Sequence, residues 1–345
     1  MRIHSSLPFL PASASLFKTI SLVLLASVFF SVQICSAQQK EEFPKKTGSL
    51  EPGVQHPMTD LKPDAVFPVE GHPDWMAVTE DSVWVSSSNV NHVVRLDLAT
   101  NKPDTIITVQ RPCSGLAVDF GSLWIPSCGK QKRELIRADA KTGAIQATIA
   151  ATPADSEGGI TTGAGSVWLV TSDSSVLDRI DAKTNAVVAH IELPKGSFNP
   201  IFAGGSVWVA SNAGNALIRI DPATNKVIGS TAIGPKPRFL TVGEGSVWVL
   251  NQGDGTVSRV DTASGKLLAT IPAGIPGEGG EIAYGSGSIW ATVFGYPITR
   301  IDPVTNKAIQ QWTGEGGDSI RVAHDSVFLS FLLGAKVWRI KVPAI

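Results

Sequence analysis

His72, Asp74, Glu281 and Asp318 are the side chains of this sequence best suited to acid–base or metal chemistry. Three carboxylates with an imidazole beside them suit a hard divalent cation such as Ca²⁺ or Mg²⁺, which takes oxygen ligands. The same groups would serve equally as general acid and base. Ser114, Asn199 and Arg238 stand at places comparable to Asp74 and Asp318, each just ahead of an apolar stretch. Arg238 and Arg111 can clamp a carboxylate or phosphate through paired hydrogen bonds. Phe294, Tyr296 and Phe331 put rings into loops that are otherwise polar, where they suit a pocket wall or a partner contact. A plainer reading stands beside each of these: acids on loops are usually just solvated, and arginines neutralise them.

A repeat is what would gather such residues. Gly245-Ser246-Val247-Trp248-Val249 recurs with small changes, giving Trp84, Trp124, Trp168, Trp208, Trp248 and Trp290, with Phe328 in seventh place, at steps of 40, 44, 40, 40, 42 and 38 residues. In phase with it runs an Asp-x-x-Thr/Ser-Asn/Gly turn at Asp97, Asp139, Asp181, Asp221, Asp261 and Asp302. Each unit reads as four short strands. The first two meet at a two-residue turn such as Glu244-Gly245, where positive φ is required. The second strand carries the tryptophan, a polar loop follows, and the third strand ends in the Asp turn. Seven units predict an all-β chain, a seven-bladed β-propeller of four-stranded antiparallel blades. A sandwich is the alternative, but near-identical units favour radial repetition. The tryptophans, all at one register, read as filling between blades.

The last unit stops at its third strand, 336–341, while residues 65–69 resemble a fourth strand with no unit before them. Their pairing would complete the last blade and remove two open edges. In the closed ring the loops entering first strands share a face with those joining second to third strands. That face varies from unit to unit, so binding is expected there, and it would bring Glu281, Asp318, Asp74 and His72 together from units six, seven and one. Unit two adds a basic loop at 129–134. The register around Phe120-Gly121 sets Cys113 opposite Cys128, about 5.5 Å apart at Cα and within disulfide reach. His190 and His324 read as structural.

Arg2 and Lys18, an apolar run over 20–32 and Cys35-Ser36-Ala37 form the pattern of a secretory signal peptide at 1–37, too short for a comfortable membrane span. Export to a periplasmic or extracellular space would let the remaining cysteines oxidise. Cleavage leaves 27 of the 29 basic residues against all 30 acidic ones, which gives no basic stripe for nucleic acid. Residues 38–64, with charge pairs, four prolines and few aliphatics, read as a disordered linker. The propeller takes 65–345 and is expected to be a monomer. Zinc spacings, a nucleophile elbow, a phosphate loop and a dinucleotide fingerprint are not found at suitable places.

Ser206-Val207-Trp208-Val209-Ala210-Ser211-Asn212 and Ile220-Asp221-Pro222-Ala223-Thr224-Asn225-Lys226 resemble units of the YVTN-repeat propellers, an exported bacterial and archaeal family. That family is similar in scaffold to the streptogramin (virginiamycin B) lyases. The resemblance covers about 65–342 and rests on the structural turns and tryptophans. It implies extracytoplasmic binding, surface or scaffold roles. The lyase likeness would imply a catalytic histidine just before a first strand late in the chain, with acids holding Mg²⁺. The comparable positions here are Arg238, Gly280 and Asp318, and none of the seven is histidine. Two functions are expected. One is an exported propeller that binds a small molecule or an extracytoplasmic protein through its channel-mouth face. The other is a divalent-metal-assisted lyase or hydrolase using Asp74, Glu281 and Asp318.

Overall fold

In the computed structural model, residues 42–154 and 159–344 are described. The expected signal peptide lies outside them. The strands form seven sheets in chain order, each with four antiparallel strands. Blade five is typical, running Pro237–Gly243, Ser246–Asn251, Thr256–Asp261 and Leu267–Pro272 from the channel outward. Its second strand, Ser-Val-Trp-Val-Leu-Asn, is buried at every position because neighbouring blades cover both faces. Its outermost strand is largely exposed.

The ring closes as the unit count predicts. Ala65–Pro68 pairs with Lys336–Lys341, with Ala65 opposite Arg339 and Phe67 opposite Val337. Blade seven is therefore built from both ends of the propeller.

Residues 42–64 depart from the expected disorder. Gln55–Pro57 runs parallel to Lys307–Gly314 and adds a fifth strand to blade six. Thr47 and Gly48 donate their N–H groups to the Gly274 carbonyl, Ser49 donates to Gln311 Oε1, and Val54 and Met58 are buried. A segment this poor in apolar residues cannot fold alone. It orders here because blade six offers an unpaired strand edge and a ready apolar surface.

The tryptophans are indeed core, with no solvent exposure, but each works with a partner that the repeat pattern also encodes. Opposite each on the third strand stands an arginine, as in Trp168↔Arg179 and Trp248↔Arg259. Its guanidinium lies over the indole at 4.8, 5.1, 5.0, 4.7 and 4.8 Å in blades two to six. Its Nε–H bonds the serine that begins the second strand, as Arg259 does to Ser246 Oγ at 3.0 Å. The far end crosses to the next blade's Asp turn. Arg259 Nη1 donates to Pro303 O at 2.7 Å and Asn306 Oδ1 at 3.0 Å. Arg179 does the same to Pro222 and Asn225. Arg339 carries it across the seam to Leu98 and Asn101 of blade one.

One junction is built differently. Blades two and five have Gly143 and Gly265 where the other turns have asparagine; Arg219 still reaches the second of these turns through Ala263 O at 3.1 Å, but Arg95 of blade one pairs instead with Asp81 and Asp104 in its own blade. Trp84 Nε1–H makes the crossing, to Ala140 O at 2.9 Å.

The turn aspartates are tied in turn. Asp181 Oδ1 accepts from the N–H of Thr184 and Lys183 and from the Thr184 hydroxyl. Backbone N–H donation holds the carboxyls of Asp97, Asp139, Asp181 and Asp221 below their usual 3.8. The Ser264 and Thr305 hydroxyls act first on Asp261 and Asp302.

Two outcomes are expected. Arg259→Met keeps an apolar stem but loses the stack and strands two acceptors, so it should cost about 2–4 kcal/mol in urea unfolding. Asn306→Gly keeps the left-handed backbone and removes one acceptor, and should cost only about 1 kcal/mol; equal costs would deny the arginine its role. Because the folded carboxyls have lowered pKa values, their contribution is fully present above the unfolded value and is lost as pH falls through the folded one. The unfolding midpoint should therefore fall below about pH 4, and Asp181→Asn should flatten that fall. An unchanged acid limb in the variant would exclude the turns as its source.

Candidate functional site

The inner strands carry β-bulges where they enter the variable face. Pairing slips between Pro73 and Met76, between Phe198 and Ile201, and between Pro237 and Phe239. A bulge re-aims the side chain it contains, and these bulges contain Asp74, Asn199 and Arg238. Blade two slips by two residues, since Ala117 faces Trp124 but Pro112 faces Ser127. Ser114 and Asn199 have φ of 60° and 48°, as such kinks require.

The slip corrects the expected cysteine register. Cys113 and Cys128 form a disulfide, with Cα atoms 5.9 Å apart. They sit diagonally rather than opposite, and the Cys113 N–H reaches Pro126 O. A bulge of two residues inside the hairpin shifted the pairing that the turn alone would set.

The bulged side chains mostly stitch blades together. Ser114 Oγ–H donates to Ala154 O at 2.5 Å. Asn199 Nδ2–H donates to Arg238 O at 3.0 Å, and the Arg238 guanidinium lies 3.9 Å over the Phe198 ring. Arg111 is exposed at the rim, its N–H held by Asn91 Oδ1.

The central channel holds a cavity of about 280 Å³ to which all seven blades contribute, through residues such as Trp75, Asn199, Thr241, Glu281 and Arg321. Glu281 is buried. Its Oε2 accepts from the Ser319 hydroxyl and from the Ile320 N–H at 3.0 Å, while Oε1 pairs with Arg321. Asp318 Oδ1 accepts from the Gly280 N–H at 3.4 Å. His72 is exposed, with its N–H on Asn89 Oδ1. Among the described residues, no three His, Cys, Asp or Glu side chains converge as a metal-binding group. Glu281 is already engaged by a guanidinium and two donors, which leaves its carboxylate little capacity for a hard cation.

A larger space opens where blades six and seven meet the segment 57–61. This groove of about 780 Å³ is walled by Met58, Leu61, Phe294, Phe331, Leu333 and Trp338, among others. Its surface is chiefly carbon. Phe331 and Trp338 lie 4.5 Å apart between ring centroids, tilted at 47°. The Lys336 ammonium sits 4.9 Å from the first ring and 5.5 Å from the second. Gly316 belongs to the wall by necessity, since a Cβ there would lie 2.4 Å from the Phe331 ring. Phe294 and Phe331 join the groove as the sequence suggested. Tyr296 does not; it packs half-buried against Gly48.

The sequence held a signal for the rest. Three of the nine tryptophans fall outside the repeat register: Trp75, Trp312 and Trp338. Trp75 lines the channel and Trp338 the groove. Trp312 is buried in the same apolar cluster as Met58 and Phe331. Lys336 and Arg321 carry no comparable mark.

No known protein family and no curated protein matches the chain. Solved structures do. A streptogramin B lyase is 20% identical with a TM-score of 0.63, over 79% of this chain and 93% of that one. Virginiamycin B lyase from Staphylococcus aureus is 19% identical with a TM-score of 0.65, over 81% and 98%. The Swd1 (Cps50) β-propeller domain of Myceliophteria thermophila, only 13% identical, has a TM-score of 0.67 over 82% and 100%. Propellers with such different names superpose equally well. The likeness therefore establishes the architecture and leaves function to the site.

Arg321→Met should lower stability by about 3 kcal/mol by leaving Glu281 buried without its partner, and adding Glu281→Gln should recover much of that loss. Non-recovery would show that Arg321 acts through something other than the pair. Ca²⁺ and Mg²⁺ should leave the thermal midpoint unchanged, since a cation bound only by the folded state must raise it. A rise abolished by Asp318→Ala would reinstate the cation site.

Proposed function

We propose that the protein is an exported β-propeller that binds a small ligand through the groove between blades six and seven. The groove carries this reading. Its volume of about 780 Å³ falls within the range of about 300–1,000 Å³ usual for ligand sites, which are likewise mostly apolar with few polar groups. Phe294 and Leu333 are 41% and 85% exposed on loops whose counterparts in other blades are polar. Stability of the folded chain gains nothing from such exposure, whereas a ligand does. Export is supported by the signal-peptide pattern of 1–37 and by the Cys113–Cys128 bond, which suits an oxidising compartment. Among the described residues, no helix is long and apolar enough to cross a membrane.

The metal-assisted lyase or hydrolase reading rests on the scaffold shared with the streptogramin and virginiamycin B lyases. The engaged carboxylate of Glu281 and the absence of histidine from the seven comparable positions weigh against it.

A neutral solvatochromic dye such as Nile red tests the binding reading. The folded protein should bind it with a blue shift. Phe294→Ser and Leu333→Asp, both on exposed loop positions, should each weaken binding about tenfold, the worth of one buried apolar side chain, without moving the unfolding midpoint. Dye binding unaffected by both substitutions would remove the groove from consideration.

A further inference from the structure

We propose that the groove takes an amphiphilic anion, an apolar body carrying a single carboxylate-like head, with Lys336 as the residue that pairs the head. This inference rests on the groove being the ligand site. It specifies what kind of ligand enters.

The charge pattern carries it. Lys336 and Glu315 are the two charged residues lining the groove. Glu315 is exposed and keeps its water. Lys336 is half-buried, and its Cε runs close beside Gly334. Its backbone is fixed between Phe331 and Pro68 in the blade seven ladder. Among the described residues, no carboxylate stands within ion-pair distance of its ammonium. The groove thus presents one positioned cation on a chiefly carbon wall, with Glu315 solvated beside it.

The aromatic pair argues the same way. Two tilted rings would suit a ligand cation. Here the protein's own Lys336 ammonium already sits over both faces. A second cation would meet like charge. A neutral molecule would leave the ammonium facing carbon and shed part of its water without compensation. An anionic head on an apolar body satisfies the ammonium while its body covers Phe294, Leu333 and Trp338.

Paired probes test the proposal: anilinonaphthalene sulfonate, an aromatic anion, and neutral Nile red. Each is titrated into the wild type, Lys336→Met and Lys336→Arg, with thermal midpoints recorded for all three. Lys336→Met should weaken sulfonate binding about tenfold, the scale of one charge-assisted contact, and leave Nile red binding undiminished. Lys336→Arg should restore the sulfonate. Decanoate should displace Nile red from the wild type at lower concentration than decanol does, and lose that advantage in Lys336→Met. If both dyes bind the wild type and Lys336→Met alters neither, or both equally, the anion proposal fails while the groove remains a ligand site. If neither dye binds the wild type, the groove reading itself falls and this inference with it.

Discussion

The arginine that lies over one blade's tryptophan and reaches into the next blade's turn is the contact on which this ring depends. A propeller blade cannot bury its own faces, so each must be covered by a neighbour. Apolar packing alone fixes neither the angle nor the height at which two sheets meet. The arginine does both, because its planar head is held by an indole below, a serine at Nε and a carbonyl with an asparagine amide beyond. The Asp-x-x-Thr-Asn turn is shaped to receive it. Aspartate folds the turn through the threonine, and the asparagine takes up positive φ, as in Asn185, Asn225 and Asn306, so that its amide faces the incoming guanidinium.

This division of labour explains why the two faces of the ring differ. The Asp turns are bound to the neighbouring blade and share one pattern of aspartate, threonine or serine, and asparagine or glycine. The upper loops make few such commitments and can diverge. The first junction shows how a lapse is tolerated. Arg95 is held within its own blade by Asp81 and Asp104 and the indole N–H of Trp84 makes the crossing to Ala140 O, whereas Arg219 still reaches a turn that also ends in glycine, at Gly265, through Ala263 O.

What could be read from the sequence follows the same line. Trp84 to Trp290, the Asp turns and the orphan strand at 65–69 recur or complement one another, and periodicity makes them visible. The arginines recur too, at Arg137, Arg179, Arg219, Arg259 and Arg300, but scattered polar residues on strands look like solvated surface until their partners are in place. The bulges escaped for another reason. One non-glycine residue with positive φ, such as Ser114 or Asn199, moves a register without marking the composition, which is why Cys113 and Cys128 bond across a diagonal. Residues 42–64 are ordered against expectation because composition reports whether a segment can fold alone, not whether a neighbour holds an edge open for it. The groove was half legible, since Phe294 and Phe331 stand out in polar loops, whereas Lys336 and Gly316 acquire meaning only against the rings beside them.

The groove's place in the ring is no accident of loop length. Blade seven is assembled from both ends of the propeller, and the chain reaches its closing strand through 57–61, the segment that walls the groove. Met58 sits against Gly314 on blade six, and six residues after it Asp64 binds the Lys341 N–H on blade seven. A molecule lying between this segment and Phe331 therefore touches residues from blade six, blade seven and the strap that joins them. Its binding would add to ring closure because an opened seam would dismantle the wall it rests on. A ligand held there would therefore favour the closed seam, in the blade whose strands come from both ends of the propeller.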